Sequence, residues 1–341
     1  MAAKISRDFI HLTVELYRRR LTSAKEEDKK KEKEDVKSKS KKREIAGKES
    51  PIKDRKTGCH EYEGVCLPVT VTTASLDMIK MLEIRDDDVW VLNYPRSGGL
   101  WIQEIVSCVI NGADLDSVTN IPIADRLIRL ENMENNKNNA PQMFEKINNM
   151  ESPRMIRTSL PYHMLPFQIH SKKPKIIYMA RNPKDVVASY YHFYNSDPVL
   201  PTTTWEKFIE EFIKGNVAFG SWFPHLSPWW QEYRTSNNVL FLKYEDLKKD
   251  LRSIVIQISL FLDKHFEDDQ IEAITNHCGF DNMKNAAGDA DAMISTYLRK
   301  GIVGSWEEQF TIAQNKTFDL ECDKHLYGTG LRFDYESFKV E

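Results

Sequence analysis

The sequence predicts an α/β fold, a single domain in which a parallel β-sheet is flanked by helices. From about residue 86 onward, short apolar runs alternate with helix-like segments, which is the pattern of β-α-β units. The clearest predicted strands, each followed by a polar turn and a helical pattern, are 89–93, 175–180 and 239–242. We expect one such domain over residues 60–338, without internal repeats.

Composition narrows the class of protein. The chain has 341 residues, of which 41% are hydrophobic and 29% are charged, as in ordinary globular proteins. No stretch approaches the ~18 consecutive apolar residues that a membrane-spanning helix needs, and the secretory-signal pattern is absent. Five cysteines without a C-x-x-C pair argue against a disulfide scaffold and against a structural zinc site. We therefore expect a soluble, cytoplasmic protein with free thiols and no metal.

Charge is distributed unevenly along the chain. Residues 1–49 carry 16 Lys and Arg against 10 Asp and Glu, whereas the remaining residues carry 32 against 41. An acidic body is a poor general binder of nucleic acid, so we expect no nucleic-acid partner. Any anionic ligand must then be held by a local site.

Residues 1–24 and 25–55 are predicted to lie outside the domain. In residues 1–24, apolar side chains at helical spacing precede three arginines, which fits an amphipathic helix for a membrane surface or for targeting. The alternative is a short helix that packs weakly on the body. Residues 25–55 are dominated by charge and predict a disordered linker. Within it, the run KSKSKKR fits either a nuclear localisation signal or a solvated run of charges.

Residues 89–110 predict a phosphate-binding loop between a strand and a helix. The apolar strand runs into the segment Pro95-Arg96-Ser97-Gly98-Gly99 and then into an amphipathic helix. Glycines let backbone N–H groups approach an anion, and a helix N-terminus favours negative charge. The alternative is an ordinary glycine turn. The Walker A pattern is absent, which disfavours a P-loop kinase or NTPase.

A second strand, 175–180, ends at the cation Arg181. Asn182 suits a helix cap and Pro183 suits the first helical position, so we expect the helix to begin just after Arg181, with Ser189 about two turns along. A guanidinium at the strand end and a hydroxyl on the following helix can hold one phosphate together. The alternative is that Arg181 simply pairs with Asp185.

A third motif, LRKGIVGSW at residues 298–306, puts Arg299 and Lys300 directly before Gly301. Two adjacent cations and a glycine N–H suit a further phosphate contact. The alternative is a basic surface turn.

Together, these motifs closely resemble the cytosolic sulfotransferases, which move a sulfuryl group from 3′-phosphoadenosine 5′-phosphosulfate (PAPS) to a hydroxyl or amine. The resemblance covers residues 60–335 and rests on six segments in the family's order: NYPRSGGLW, RTSLP, YMARNPKDVVASYYHFY, GSWFPHLSPWW, FLKYEDL and RKGIVGSW. The stretch from SPRMIRTSLPYHMLP to KIIYMARNPKDVVASYY is most similar to the brain-type branch, whose activity is unsettled.

The resemblance implies a PAPS site in this chain. It gives the 5′-phosphosulfate loop and adenine shelf as Arg96, Ser97, Gly98, Gly99, Leu100 and Trp101. It gives the 3′-phosphate site as Arg181, Ser189, Arg299, Lys300 and Gly301, with Tyr244, Cys278 and Phe280 near the adenine. The motifs support this site independently of the resemblance. A nucleotide with phosphates at its 3′ and 5′ positions needs two separated anion sites, and the sequence supplies two. The implied acceptor is a small hydrophobic alcohol, phenol or amine, held by loops around residues 120–150 and 283–297.

The nucleotide loop departs from the family pattern. The family reads Tyr-Pro-Lys-Ser-Gly-Thr-Thr-Trp, whereas this chain has Arg96 for the lysine and Gly99-Leu100 for the two threonines. Arginine keeps the charge but is planar and wider than lysine, and two hydroxyl donors are lost. We therefore expect weaker nucleotide binding.

The catalytic segment departs further. The family reads Lys-Thr-His-Leu-Pro, with histidine as the base, where this chain reads RTSLP, so the candidate catalytic residues are Ser159, Arg157 and Arg96. A serine hydroxyl does not act as a base near pH 7. We do not expect His163 to substitute, because Pro161 directs it elsewhere. Two functions stay open. One is a PAPS-dependent sulfotransferase, and the other is a non-catalytic relative that binds PAPS or its product, adenosine 3′,5′-bisphosphate (PAP).

The resemblance also predicts a homodimer. Many cytosolic sulfotransferases dimerise through the segment Lys-x-x-x-Thr-Val-x-x-x-Glu, which corresponds here to Glu307, Thr311, Ile312 and Lys316. The end charges are exchanged, but under two-fold symmetry each still meets its opposite. A mixed pair with a standard relative would oppose like charges. The alternative is that Glu307 and Lys316 are solvated surface charges.

Overall fold

A computed structural model describes residues 58–123, 126–132, 140–287 and 297–336. The first two strands form an antiparallel hairpin, β1 (Cys59–Tyr62) and β2 (Val65–Pro68). The other described strands form one parallel sheet in the order β4-β5-β3-β6-β7. They are β3 (Val89–Asn93), β4 (Ile128–Arg129), β5 (Met155–Thr158), β6 (Lys175–Ala180) and β7 (Val239–Lys243).

The sheet is built around β3. All five residues of β3 are buried, as expected for a central parallel strand covered on both faces. β3 pairs with β5 on one side, with Leu92 opposite Thr158, and with β6 on the other, with Asn93 opposite Met179. The strands therefore end side by side along one edge of the sheet.

Helices follow most of the strands. The described α-helices are α1 (Thr73–Lys80), α2 (Gly99–Ile110), α3 (Leu115–Thr119), α4 (Ala140–Asn148), α5 (Ile169–Lys172), α6 (Pro183–Ser196), α7 (Trp205–Lys214), α8 (Trp222–Thr235), α9 (Tyr244–Lys249), α10 (Leu251–Phe261), α11 (Asp268–His277), α12 (Phe280–Ala287) and α13 (Ile312–Leu326). Short 3₁₀ helices cover Leu130–Asn132, Tyr162–Met164 and Ser305–Glu308. Apolar residues of α2 and α10, among them Ile105 and Ile258, share one buried core with the sheet.

The predicted fold class is confirmed. Strands 89–93 and 175–180 have the predicted bounds, and the third predicted strand ends one residue later, at Lys243. Residues 1–24 and 25–55 lie outside the described residues, so the expected helix and linker stay predictions, as do the domain bounds 60–338. None of the helices in the described ranges has the length and apolarity needed to cross a bilayer. The cytoplasmic location also stays a prediction.

Candidate functional site

A cavity of about 680 Å³ opens at the carboxyl ends of the parallel strands. This edge is where α/β sheets commonly bind ligands, and the volume suits a ligand of drug or nucleotide size. Each strand of the sheet supplies a lining residue at its end or just beyond it: Arg129 from β4, Ser159 after β5, Arg96 after β3, Arg181 after β6 and Tyr244 after β7.

The loop between β3 and α2 requires glycine at two positions. Gly98 has φ +97°, and a Cβ there would lie 2.8 Å from Tyr244 Cδ2. A Cβ on Gly99 would lie 2.4 Å from Asn93 Oδ1. Gly98 caps α2 without a side-chain hydrogen bond, and Gly98, Gly99 and Leu100 line the cavity. The start of α2 therefore borders the cavity, and the free N–H groups of a helix start suit an anion.

Arg96 carries the charge of this loop. It has φ +69°, a conformation that non-glycine residues adopt mainly where the surroundings enforce it. Its Nε donates to Ser189 Oγ at 3.1 Å, and its Nη2 donates to the Tyr297 carbonyl oxygen at 3.2 Å. Burial, and then the charges of Arg181 and Arg299, lower the pKa of Arg96 to about 10. A bound anion would relieve this repulsion.

The segment after β6, which the sequence predicts to bind a phosphate, begins α6 at the predicted position. Asn182 caps the helix through a bond from the Asp185 N–H, and Pro183 is the first helical residue. Arg181 donates from Nη1 to the Arg96 carbonyl at 3.3 Å and lies 3.7 Å from Asp185 through Nη2. Its guanidinium also lies 4.3 Å from the ring centroid of Tyr244. Arg181 therefore pairs with Asp185 and lines the cavity as well.

Asp185 joins this helix to the third motif. Its carboxylate accepts from Gly304 N–H at 2.9 Å, from Ser305 Oγ–H at 3.1 Å and from Trp306 N–H at 3.0 Å. These contacts bring the segment of Arg299, Lys300 and Gly301 to the cavity beside Arg181. The sequence predicts Asp185 in the first turn of the helix or as a partner of Arg181, but a bond across more than a hundred residues leaves no local signal.

Buried polar atoms in this region have no hydrogen-bond partner among the described residues. They are Ser97 Oγ, Arg181 Nε and Arg299 Nε. Buried donors without partners are costly, so their clustering beside one cavity fits an anionic ligand. Lys300 has its own partner in Glu308 at the rim.

Three aromatic rings enclose the part of the cavity between these segments. The Trp101 ring centroid lies 5.6 Å from that of Tyr244 and 5.5 Å from that of Phe280. Trp101 Nε1 donates to the Cys278 carbonyl at 2.8 Å, which holds the indole in place. Cys278 does not itself line the cavity, and its Sγ lies 3.9 Å from Cys108 Sγ. Ser97 is likewise fully buried behind the lining residues.

Ser159 lines the cavity directly after β5 and is held by its backbone. Its N–H donates to Glu131 Oε1, and its carbonyl accepts from His225 Nε2 at 2.9 Å. His225 Nδ1 accepts from Tyr178 OH at 2.8 Å, and burial lowers the pKa of His225 to about 4. Both ring nitrogens are thus engaged away from the cavity. The exposed His163 does not line it either, and the described lining contains no histidine.

Comparison with known proteins identifies the family. A sequence model of the family described as sulfotransferase domain matches residues 86–330. The chain belongs to the sulfotransferase family. It is 37% identical to human sulfotransferase 4A1 over 277 residues, covering 81% of this chain and 92% of that protein. It is 35% identical to rat sulfotransferase 1C2 over 297 residues, covering 84% and 99%.

Solved structures of sulfotransferases have the same fold. The crystal structure of mouse sulfotransferase SULT7A1 complexed with PAP gives a TM-score of 0.69 at 31% identity, covering 80% of this chain and 96% of that one. The resemblance inferred from the sequence motifs is thereby confirmed.

Among the lining residues of this sulfotransferase-family chain that the sequence did not single out are three in the expected acceptor loops, Arg129, Glu131 and Tyr297. Arg129 and Glu131 fall in the loop region 120–150, but β4 has only two residues, too few for a strand periodicity. Residues 124–125, 133–139 and 288–296 of the expected acceptor loops lie outside the described ranges.

Proposed function

We propose that this protein transfers the sulfuryl group of PAPS to a hydroxyl or amine of a small acceptor. The observation that carries the proposal is one cavity in which two cationic segments flank an aromatic enclosure. PAPS has anionic groups at its 3′ and 5′ positions on either side of an adenine-bearing sugar. Family membership and the PAP complex of mouse SULT7A1 support the same ligand.

The proposed binding roles follow the two segments. Arg96, Ser97, Gly98 and Gly99 hold the 5′-phosphosulfate, with Leu100 beside them. Arg181, Ser189, Arg299, Lys300 and Gly301 hold the 3′-phosphate, and Trp101, Tyr244 and Phe280 enclose the adenine, with Cys278 supporting Trp101. The partnerless donors Arg181 Nε and Arg299 Nε, which belong to lining residues, favour this fit among the described residues.

PAPS supplies an activated sulfuryl group, whose bond to the phosphate oxygen breaks as a bond forms from sulfur to the acceptor oxygen or nitrogen. Guanidinium groups at the cavity wall stabilise the negative charge that develops on the departing phosphate. The proton of the acceptor must leave in the same reaction. Because Ser159 stands where the family has its histidine, that proton goes to solvent, and we expect slow turnover with acceptors that are already acidic.

The test is transfer of ³⁵S from labelled PAPS to a panel of phenols, amines and steroids. We expect weak labelling of acidic phenols, and its loss in Arg181→Ala, because this variant removes a proposed phosphate ligand. No labelling of any acceptor, although PAP binds, would reject the catalytic proposal. ATP serves as the competing nucleotide, since preferred binding of ATP would indicate an NTPase or kinase.

A second candidate function is non-catalytic binding of PAP or PAPS. Ser159, together with a described lining free of histidine, favours this candidate. It predicts PAP binding of ordinary strength with no transfer by the wild-type protein. The ³⁵S experiment therefore distinguishes the two candidates directly.

We further propose a homodimer through the segment 307–316. Glu307, Thr311, Ile312 and Lys316 are all exposed, and Ile312 is 92% exposed. Thr311 also caps α13 through Gln314, which fixes the start of the helix that carries Ile312 and Lys316. An exposed isoleucine between opposite charges suits a self-complementary contact.

A further inference from the structure

Three side chains of different chemistry converge outside the cavity, where α2 meets the end of α11. Glu104 and Cys108 belong to α2, and His277 is the last residue of α11. A carboxylate oxygen, a thiol sulfur and an imidazole nitrogen, one from each residue, all lie within 4.8 Å of one another. None of the three residues lines the cavity. We call them the helix-junction cluster.

Two helices assemble this cluster from distant parts of the chain. Glu104 and Cys108 are four residues apart, so they lie on one face of α2, and both are buried. The same spacing places two zinc ligands on one face of a helix in known metal sites. His277 is 173 residues away from Glu104 in sequence, which leaves no local motif. The expectation of no metal, drawn from the missing C-x-x-C pair, could not take such a cluster into account.

The Glu104 carboxylate is held in a fixed direction. Its Oε2 forms an ion pair with Arg126 Nη1, and Arg126 Nε donates to the Ile121 carbonyl oxygen at 2.8 Å. Its Oε1 accepts from His277 Nε2 at 2.7 Å. Carboxylates that bind metals are themselves commonly held by an outer hydrogen-bond partner, which Arg126 provides here. Glu104 Oε1 is then the oxygen available for a cation.

The separations suit a small tetrahedral cation after a modest adjustment. A nitrogen and an oxygen bound to one Zn²⁺ lie about 3.3 Å apart, and a bound sulfur lies about 3.6 Å from either. Glu104 Oε1 and His277 Nε2 must therefore open by about 0.6 Å from 2.7 Å. The side chain of His277 is 21% exposed, so it has room to move and leaves a way in for the ion.

The mixture of ligand atoms decides which metal fits. Thiolate and imidazole ligands favour Zn²⁺, whereas Mg²⁺ and Ca²⁺ are bound through oxygen atoms. An ion pair between Glu104 and His277 accounts for two of the residues but not for the thiol beside them. Cys108 Sγ also lies 3.9 Å from Cys278 Sγ, so a disulfide is the competing chemistry under oxidising conditions.

We propose that Glu104, Cys108 and His277 bind one zinc ion, with water in the fourth tetrahedral position. The protons of the thiol and of the imidazole nitrogen that binds the ion go to solvent. The ion joins α2, which begins in the Gly98 loop, to the end of α11, where the Cys278 carbonyl accepts from Trp101 Nε1. This site goes beyond the proposed function, because it does not depend on which nucleotide or acceptor the cavity binds.

The test measures zinc binding by the full chain, freed of metal by a chelator and kept reduced with a phosphine. Calorimetry with zinc chloride should give one equivalent bound with a Kd of about 1 µM or lower, and a raised thermal midpoint. Magnesium chloride at millimolar concentration should not bind at this site. Cobalt(II) in place of zinc should give the thiolate-to-cobalt charge-transfer absorption that reports a cysteine ligand.

His277→Gln is the decisive variant, because His277 is partly exposed and its replacement leaves the buried face of α2 intact. It should weaken zinc binding at least ~10-fold. Cys108→Ser should do the same and abolish the cobalt band. The matched control is His325→Gln, which removes a histidine that lies 3.7 Å from Glu321 outside the cluster and should keep the wild-type affinity.

The proposal is overturned by a wild-type protein that binds no zinc, or by unchanged zinc affinity in His277→Gln. An equal loss of affinity in His325→Gln, or a cobalt complex without the charge-transfer band, also overturns it. PAP binding by the zinc-free wild type is measured in parallel. Failure of the zinc site and failure of the proposed function are therefore separate results.

Discussion

Ser159 is anchored by its main chain, on both sides of the residue. Its N–H donates to Glu131 and its carbonyl accepts from His225, so the direction of the main chain at this position does not depend on the hydroxyl. Another side chain can therefore be introduced here without breaking these bonds. This makes position 159 a suitable place to test what a base contributes.

Ser159→His is expected to raise turnover at least ~10-fold in the ³⁵S transfer assay, because a positioned base contributes ~10²- to 10⁴-fold in general. Ser159→Ala is the matched control and should give no gain. If the wild-type protein is already as fast as the histidine variant, Ser159 does not occupy the position of the base.

A second residue, Glu245, is expected to make the stability of the fold depend on pH. Glu245 is fully buried, and its Oε1 accepts from the Asn182 N–H at 2.7 Å, at the start of α6. Burial raises the pKa of Glu245 from 4.5 to about 7. A carboxyl with a raised folded-state pKa favours folding while it is protonated, so this contribution is full below pH 4.5 and is lost as the pH rises through about 7.

Glu245→Gln should remove that loss, because glutamine stays neutral and keeps an oxygen for the Asn182 N–H. The variant should therefore gain stability relative to the wild type as the pH rises. The difference in their free energies of unfolding should grow by about 3 kcal/mol between pH 4.5 and pH 7 and then level off. Urea unfolding at several pH values measures it. A difference that does not change with pH would show that Glu245 titrates normally.

At the scale of elements, the start of α6 connects the two segments proposed to bind the 3′-phosphate. Asn182, Pro183 and Asp185 form a local helix-start pattern, which is why the first residue of α6 could be predicted from sequence. Asp185 also binds residues 304–306, and this contact could not be predicted, because its partners are more than a hundred residues away. The structure thus explains how two separate basic motifs reach one cavity.

Gly301 provides a prediction about that loop. It has φ +66°, and a Cβ there would lie 2.2 Å from Phe280 Cζ, so Gly301→Ala must displace a ring of the aromatic enclosure. We expect PAP to bind at least ~10-fold more weakly, as measured by calorimetry.

Gly112→Ala is the matched control, since Gly112 has φ +69° and a Cβ there would meet nothing within 4 Å. Both variants carry a similar backbone strain of about 1–2 kcal/mol, but only Gly301→Ala should lose PAP affinity. Equal PAP affinity in the two variants would contradict a role for Phe280 in the nucleotide site.

At the scale of the whole molecule, sequence could predict three strands of the sheet and the basic segments that line the cavity, but not the meeting of Arg129 and Arg157. Apolar strands followed by helices specify β3, β6 and β7 locally. Arg129 and Arg157 meet only because β4 pairs with β5, and neither short strand was among those predicted. Charge pairs of this kind arise from tertiary pairing, which composition and periodicity do not encode.

The proposed dimer also belongs to this scale. Sedimentation at micromolar concentration should give a dimer for the wild type and a monomer for Ile312→Glu, because a buried carboxylate would face its symmetry mate. Leu320→Glu, at another exposed apolar position of α13 outside the segment 307–316, is the control and should stay dimeric. A monomeric wild type, or a dimeric Ile312→Glu, would end this proposal.

In the proposed function, one cavity binds a nucleotide with separate 3′ and 5′ anionic groups. Calorimetry with PAP and adenosine 5′-monophosphate measures whether it does. The two ligands differ only by the 3′-phosphate. We expect PAP to bind at least ~10-fold more tightly than the monophosphate, with Arg299→Ala removing most of that difference. Equal affinities, or no binding of PAP at millimolar concentration, would contradict the account.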